Sequence, residues 1–199
     1  MSPPQEATYL TVTHLLEHLY CTRFTYFEHV LQIPEHQEKR FKVQKGREVH
    51  EERQHVNPGY LRKKLGVVRR EFEVELASMA HGVKGIVDEV LWLEDETMAP
   101  FDYKFAEDPG QVYENLRVQS LLYGLLIREN YGKPVTRGFL CYTRSNYRVV
   151  EIPMAEEDFE RALRIMQECF DIIRLGLFPE ATKWTARCPD CCYRNICVR

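Results

Sequence analysis

The sequence predicts an α/β domain with a mixed central sheet flanked by helices. Helical and extended periodicities alternate along the chain in the order helices, three strands, helix, hairpin, helix and cysteine tail. Such an order is typical of a sheet that carries helices on its faces. The 199 residues, 44% of them hydrophobic and 29% charged, suffice for one packed domain and are too few for two of ordinary size.

Four helices are predicted from apolar residues spaced three and four apart. The first covers residues 11–31, with Leu15, Leu16 and Leu19 on one side. A polar helix follows at residues 42–57 and ends at Pro58–Gly59. Two long amphipathic helices cover residues 111–131 and 155–175. In the helix at 111–131, one side contains Leu116, Gln119, Tyr123, Leu126 and Ile127. In the helix at 155–175, one side contains Phe159, Leu163, Met166, Phe170 and Ile173.

Extended segments are predicted where the period changes to two. In "REFEVEL", Phe72, Val74 and Leu76 alternate with glutamates, which indicates a half-buried strand. "GVKGIVDEVLWL" predicts a strand that is more buried on both faces. "MAPFDYKFA" predicts a third strand, and residues 135–143 and 147–152 predict a hairpin around Ser145–Asn146.

Two acidic residues fall on neighbouring predicted strands. In "FDYKF", strand alternation places Asp102 and Lys104 on one face and Phe101, Tyr103 and Phe105 on the other. An Asp–Lys pair of this kind is often only an exposed ion pair. Asp88, however, lies among apolar residues in "GIVDEV", where a carboxylate needs a partner. A hairpin would bring Asp88 and Asp102 together, and Mg²⁺ or Mn²⁺ favours such oxygen ligands.

Three further polar residues are candidates for the same site. His50 lies on the polar helix, where a lone histidine is more often a surface or core residue than a ligand. Gln119 and Tyr123 are four residues apart and share a helix face. Such a pair is commonly structural, with Tyr123 packed in the core and Gln119 exposed. The functional interpretation is a polar edge directed at a phosphate or at Lys104.

The cysteines are concentrated at the end of the chain. Four of the seven lie in "RCPDCCYRNICVR". The start of the sequence has no basic region before its apolar residues, and no apolar run reaches membrane-spanning length, so we expect a cytoplasmic chain. In a reduced compartment clustered cysteines are more often metal ligands than disulfides.

The charge is uneven although the net charge is only −3. The segment "LRKKLGVVRR" contains basic residues and no acidic one. It is either a solvated loop or a patch that contacts phosphates. Its basic residues are Arg62, Lys63, Lys64, Arg69 and Arg70.

Together these residues resemble the RecB-like nucleases of the PD-(D/E)xK superfamily. Four motifs in chain order carry the resemblance: Gly46-x-x-x-His50, Gly85-x-x-Asp88, Asp102-x-Lys104 and Gln119-x-x-x-Tyr123. The resemblance implies a restriction-endonuclease-like core acting on DNA. It also implies that His50, Asp88, Asp102 and the Tyr103 backbone carbonyl hold Mn²⁺ or Mg²⁺, that Lys104 assists the attacking water, and that Gln119 and Tyr123 complete the site.

The cysteine pattern is similar to that of the iron–sulfur nucleases of this group, in particular the CRISPR-associated exonucleases of family four. The resemblance implies a [4Fe–4S] cluster held by Cys21, Cys188, Cys191 and Cys197. It implies one nuclease domain over residues 1–199, made of an N-terminal helical region (1–40), a core (41–180) and a cysteine tail (181–199). The N-terminal region and the tail together would form an iron–sulfur subdomain.

The same resemblance implies partners and leaves several points open. Family members trim protospacer DNA, often as single-strand exonucleases, together with the CRISPR integrase, and this chain could be one domain of a fusion with it. Cys192 could replace Cys191 as a ligand or simply pack, and Cys141 and Cys169 are interpreted as small core residues. The alternatives are a non-catalytic zinc-stapled DNA-binding module and a RecB-like nuclease of DNA repair.

Overall fold

A mixed sheet forms the centre of the computed structural model, which describes residues 9–34 and 64–197. Within these residues the sheet has six strands. β1 runs parallel to β3 and β4 runs parallel to β5, whereas the β2–β3, β3–β4 and β5–β6 pairs are antiparallel. The sheet confirms the predicted fold class. The strands are β1 (Leu10–Thr11), β2 (Val67–Ser78), β3 (Val83–Leu93), β4 (Met98–Lys104), β5 (Arg137–Tyr142) and β6 (Arg148–Pro153).

The helices follow the predicted order. They are α1 (Val12–Tyr20), α2 (Arg23–Thr25) with a π-helical turn at Tyr26–Val30, α3 (Glu114–Tyr131) and α4 (Glu156–Leu175), followed by a 3-10 turn at Thr185–Arg187. α1 and α4 both pack against α3, and α3 packs against the sheet. Among the described helices, none is both long and apolar enough to cross a membrane.

Apolar side chains are buried on both faces of the sheet. The larger core lies between the sheet and the helices and includes Leu15, Leu122 and Ile127. A smaller core on the opposite face contains Phe101 and Tyr103 of β4 together with residues of β3 and β5. β4 is therefore buried on both sides, and the side chains at its even-numbered positions face α3.

Two sequence predictions about element ends are wrong. The helix predicted over residues 11–31 is interrupted after Tyr20, because Cys21 adopts an extended conformation with φ −164° and ψ 122°. β4 ends at Lys104, so Phe105 no longer alternates into the core and is exposed. The polar helix predicted at residues 42–57 lies outside the described residues.

The β2 strand changes its side-chain phase at Glu73. Glu73 has a left-handed backbone with φ 49°, a conformation that strand residues rarely adopt. As a result Glu71 and Val74 both face the helical side: the hydroxyl of Tyr131 in α3 donates to Glu71, and Val74 packs on the helical core. Phe72 was predicted to share the buried face with Val74 and Leu76, but it is 50% exposed because of this phase change.

One edge of β3 contains a gap between its partners. β2 pairs with β3 along its whole length, so β1 and β4 share the other edge. β1 pairs with Val83 and Lys84, and the β4 register begins at Glu89 opposite Phe101. Residues 85–88 therefore lie between the two partner strands.

Candidate functional site

Asp88 and Asp102 face each other across the β3–β4 pair. The register that matches Glu89 with Phe101 places Asp88 opposite Asp102 when it is extended by one residue. The backbone N–H of Tyr103 donates to Oδ2 of Asp88 at 2.9 Å, so a side chain takes the place of a ladder partner there. The predicted hairpin is confirmed, and it brings the two carboxylates to one point of the sheet.

Lys104 is held between Asp102 and α3. Its ammonium group forms an ion pair with Oδ2 of Asp102 and donates to Oε1 of Gln119 at 2.7 Å. The amide of Gln119 in turn donates to the hydroxyl of Tyr123 at 3.3 Å. A continuous polar chain thus runs from the β4 carboxylate to α3, along the helix face that Gln119 and Tyr123 share.

Glycine at position 85 lets α1 and Tyr123 approach the strand closely. A Cβ atom there would lie 2.9 Å from Cγ2 of Val12, which is closer than real Cβ atoms approach, and 3.1 Å from Cε1 of Tyr123, which is a tight contact. Only glycine fits without displacing these neighbours. The first residue of the Gly85-x-x-Asp88 motif therefore has a packing role beside the site.

Charge and burial fix the protonation state of Tyr123. Burial raises the pKa of Tyr123 far above its ordinary value, and the negative charge of Asp102 raises it further. The hydrogen bond from Gln119 lowers this pKa, and the charge of Asp88 raises it slightly. Tyr123 therefore stays a neutral hydroxyl at physiological pH.

The donor set at this site fits a hard divalent cation. Oδ2 of Asp102 is buried and accepts no hydrogen bond of regular geometry from the described residues, although Lys104 pairs with it. An additional positive charge would stabilise such an oxygen, and carboxylates on adjacent strands are typical ligands of Mg²⁺ and Mn²⁺. Asp88 and Asp102 would provide two of the ligands.

The predicted cluster ligands line a separate cavity. The cavity has a volume of about 180 Å³ and is lined by aromatic and basic side chains as well as by four cysteines. Burial, together with the proximity of the other three thiols, raises the pKa of Cys191, while the backbone N–H of Tyr193 lowers it. Cys192 is exposed and does not line the cavity. The four lining cysteines are Cys21, Cys188, Cys191 and Cys197.

Contacts between distant parts of the chain hold this cavity together. The Tyr20 hydroxyl donates to the carbonyl of Arg187, and the Arg187 guanidinium donates to the carbonyl of Tyr20. Tyr193 is buried against Phe24 and Phe27, with ring centroids 5.1 and 5.0 Å away. These contacts join the region around Cys21 to the cysteine tail, more than 160 residues later in the sequence.

Comparison with known proteins identifies the family. A family model described as the PD-(D/E)XK nuclease superfamily matches residues 14–198. The chain belongs to the PD-(D/E)XK nuclease superfamily. One curated relative, the CRISPR-associated exonuclease Cas4 of Francisella tularensis subsp. novicida, is 24% identical over 180 residues, which cover 89% of this chain and 88% of the relative. The crystal structure of SSO0001 has the same fold, with a TM-score of 0.57 at 19% identity, over 98% of this chain and 88% of that chain.

Some of the predicted residues of this PD-(D/E)XK chain lie outside the described residues. These are His50, Arg62 and Lys63, and their roles stay predictions. Lys64 is among the described residues and is exposed, three residues before the start of β2. One interpretation of the sequence placed the remaining basic residues in a solvated loop, but the structure places them in a strand. Arg69 and Arg70 lie within β2, where their guanidinium groups stack on Trp92 and Phe72.

Glu89 is a buried carboxylate of the PD-(D/E)XK core that the sequence analysis missed. It is 1% exposed, it accepts a hydrogen bond of 2.6 Å from the Tyr103 hydroxyl, and Arg70 lies 3.8 Å away. The side chain of the adjacent Asp88 lies on one face of the sheet, and that of Glu89 lies on the other. Strand alternation across the Asp88–Glu89 pair was the available signal, because it directs two consecutive acids to opposite faces.

A second group of polar side chains lies in the N-terminal helical region of this nuclease domain. Donor atoms of His14, Glu28 and His29 lie within 4.8 Å of one another. The N–H of Thr11, however, donates to Nδ1 of His14, which completes the N-terminal cap of α1. That bond puts the His14 proton on Nε2, 3.6 Å from Glu28, so the ring caps the helix rather than offering a free nitrogen to a metal.

Proposed function

We propose that this chain is a divalent-metal-dependent deoxyribonuclease that carries a [4Fe–4S] cluster and processes protospacer DNA during CRISPR spacer acquisition. The convergence of Asp88, Asp102, Lys104 and Gln119 carries the proposal. Asp88 accepts the Tyr103 N–H beside Asp102, and Lys104 links Asp102 to Gln119. These residues come from β3, β4 and α3, and Asp88 lies at the end of the gap in the β3 edge.

The reaction is hydrolysis of a phosphodiester. The oxygen of water loses a proton and forms a bond to phosphorus, the bond between phosphorus and the leaving sugar oxygen breaks, and the leaving oxygen takes up a proton. Asp88 and Asp102 would hold Mn²⁺ or Mg²⁺, with His50 and the Tyr103 carbonyl as further ligands. The bound cation would supply Lewis acidity and lower the pKa of a bound water.

Lys104 is placed to act on the charge that develops during this reaction. Asp102 and Gln119 fix its ammonium group from two sides, and a third N–H remains to be directed at water or at a phosphate oxygen. Because these contacts exist before substrate arrives, little reorganisation is needed at the transition state. Gln119, steadied by Tyr123, orients the lysine.

The cysteine cavity supports a cluster rather than a single zinc ion. Tetrahedral zinc with bonds of about 2.3 Å to sulfur requires sulfurs roughly 3.8 Å apart. Among the residues that the structure describes, no three cysteines have sulfurs within 4.8 Å of one another, and the four thiols surround about 180 Å³. Such a space suits an inorganic core of several atoms. It counts against the zinc-stapled DNA-binding module.

The name of the curated relative and the charge pattern support a proposal for the substrate and the partner. The curated relative is named a CRISPR-associated exonuclease, which favours DNA ends as substrate and the CRISPR integrase as partner inside the cell. The Arg62–Lys64 segment would contact DNA phosphates. A RecB-like nuclease of DNA repair would have the same active site, and only its choice of partner and substrate would differ.

The test is a nuclease assay on end-labelled single- and double-stranded DNA with Mn²⁺, with and without the integrase. Asp88→Asn and Asp102→Asn should each lower cleavage at least about 100-fold and leave the iron content unchanged. Glu157→Gln, at an exposed position of α4, is the matched control. Full activity in either aspartate variant would overturn the nuclease site. Activity that the integrase does not redirect to protospacer ends would favour the repair role.

A further inference from the structure

Arg23 is a buried arginine whose side chain contacts one of the predicted cluster ligands. It is 8% exposed and lines the cysteine cavity. Its Nη1 atom donates to Sγ of Cys197 at 3.1 Å, and its Nε atom donates to the carbonyl of Pro179 at 2.9 Å. The guanidinium carbon lies 4.4 Å from the centre of the Phe178 ring. These contacts fix the orientation of the guanidinium.

Two other arginines line the same cavity but make different contacts. Arg187 donates to the carbonyls of Leu19 and Tyr20, and Arg194 donates to the carbonyl of Pro189. All of these hydrogen bonds end on backbone carbonyl oxygens. The hydrogen bond of Arg23 instead ends on a sulfur, and that sulfur belongs to the last of the four lining cysteines in the sequence.

We propose that Arg23 is a positioning residue that holds the Cys197 thiolate toward the cluster and favours the reduced state of that cluster. The inference rests on the proposed function, because it requires the [4Fe–4S] group. Its basis is the donor geometry: the fork of the guanidinium reaches Pro179 and Cys197 at once. The segment that follows α4 and the end of the tail are thereby joined to the first residue of α2.

The effect on the cluster follows from charge. One-electron reduction, for example by dithionite, adds negative charge to the cluster and its thiolate sulfurs. An N–H donor from a cation stabilises the more negative state more strongly, so hydrogen bonds to the sulfurs and nearby charge set the reduction potential. Loss of the Arg23 contact should therefore make the cluster harder to reduce.

The experiment compares Arg23→Met with Arg187→Met in full-length protein purified without air. Both variants remove one positive charge from the cavity wall, and only the first removes a donor to sulfur. Iron and sulfide per chain, the reduction potential from a dithionite titration followed by electron paramagnetic resonance, and the melting temperature of cluster-free protein are measured. Arg23→Lys, which keeps the charge, is included in case Arg23→Met takes up no cluster.

We expect the equilibrium constant for reduction to fall by a few-fold or more in Arg23→Met, to change less in Arg187→Met, and to be intermediate in Arg23→Lys. Equal shifts in the two methionine variants, or an unchanged potential in both Arg23 variants, would overturn the inference while leaving the cluster in place. Wild-type protein that contains no iron and sulfide would instead overturn the cluster of the proposed function and this inference with it.

Discussion

The Lys104 ammonium of β4 donates a hydrogen bond to the side-chain carbonyl of Gln119 in α3, with 2.7 Å between Nζ and Oε1. This contact joins the strand that carries Asp102 to the helix that covers it. Because the amide of Gln119 also donates to Tyr123, the glutamine has a fixed orientation. The position of the lysine therefore depends on a residue 15 positions later in the sequence.

Replacing Gln119 should lower the rate of the chemical step. Gln119→Ala removes the acceptor that orients Lys104, and misplacement of such a group costs about 10- to 100-fold in kcat. The KM for DNA should change much less, since affinity comes from many phosphate contacts. Steady-state cleavage measures both, with Gln167→Ala on the exposed side of α4 as control. An unchanged kcat would show that Gln119 does not position the lysine.

The left-handed backbone of Glu73 should tolerate glycine and reject valine. Glycine adopts φ 49° freely, so Glu73→Gly should leave the free energy of unfolding within about 0.5 kcal/mol. A β-branched residue is strained there, and Glu73→Val should cost roughly 1–3 kcal/mol and lower the melting temperature by several degrees. Because the neighbours of Glu73, Phe72 and Val74, pair with Glu89 and Val87 on either side of Asp88, the valine variant should also lose activity. Equal stability of the two variants would show that this backbone conformation is not required.

The cysteine tail should contain four essential cysteines and one that is dispensable. Serine in place of Cys21, Cys188, Cys191 or Cys197 should reduce iron content and melting temperature, because metal binding and folding are coupled. Cys192→Ser should change neither, since Cys192 is exposed and away from the cavity. Iron and sulfide analysis of all five variants measures this. Loss of the cluster in Cys192→Ser with its retention in Cys191→Ser would reverse the assignment of the ligand.

Acid should destabilise the fold through His18. Burial lowers the pKa of His18 from 6.5 to about 4; the Glu168 carboxylate 3.9 Å away is 70% exposed and is screened by water. Between pH 6.5 and about 4, the His18 imidazole therefore binds a proton in the unfolded chain but stays neutral in the folded chain. The free energy of unfolding falls as the pH drops through this window, and the loss reaches roughly 3 kcal/mol below pH 4. Above pH 6.5 the ionisation of His18 has no effect on stability.

The measurement is the melting temperature across this pH range in wild type and in His18→Gln. The glutamine cannot take up the proton, so the variant should lose less stability between pH 6.5 and 4. His81→Gln, at a half-buried position near the β2–β3 turn, serves as the control. Parallel pH curves for wild type and His18→Gln would assign the acid sensitivity to other groups.

The basic segment before β2 should contribute to DNA affinity without sequence preference. Replacing Arg62, Lys63 and Lys64 together by Ala should weaken binding to all single strands alike and reduce the slope of log K against log salt by up to about 2. The matched control removes three cations from α4: Arg161, Arg164 and Arg174. Binding is followed by fluorescence anisotropy at several salt concentrations. A salt slope equal to that of wild type would mean that the segment is only a solvated loop.

The sequence by itself determined the α/β class, the order of most elements and the neighbourhood of Asp88 and Asp102. These depend on local periodicity and on a short hairpin, which one stretch of chain contains in full. Strand alternation also directed Asp102 and Lys104 to one face and Phe101 and Tyr103 to the other. The structure agrees with each of these points.

Only the tertiary structure decided where the regular patterns break. The phase change at Glu73 exposes Phe72, and the extended Cys21 ends a helix that its apolar spacing would continue. Both are backbone conformations that long-range packing selects against local propensity. The contact between Arg23 and Cys197 joins residues 174 positions apart, and such a contact exists only once the ends of the chain are packed together. No periodicity in the sequence encodes it.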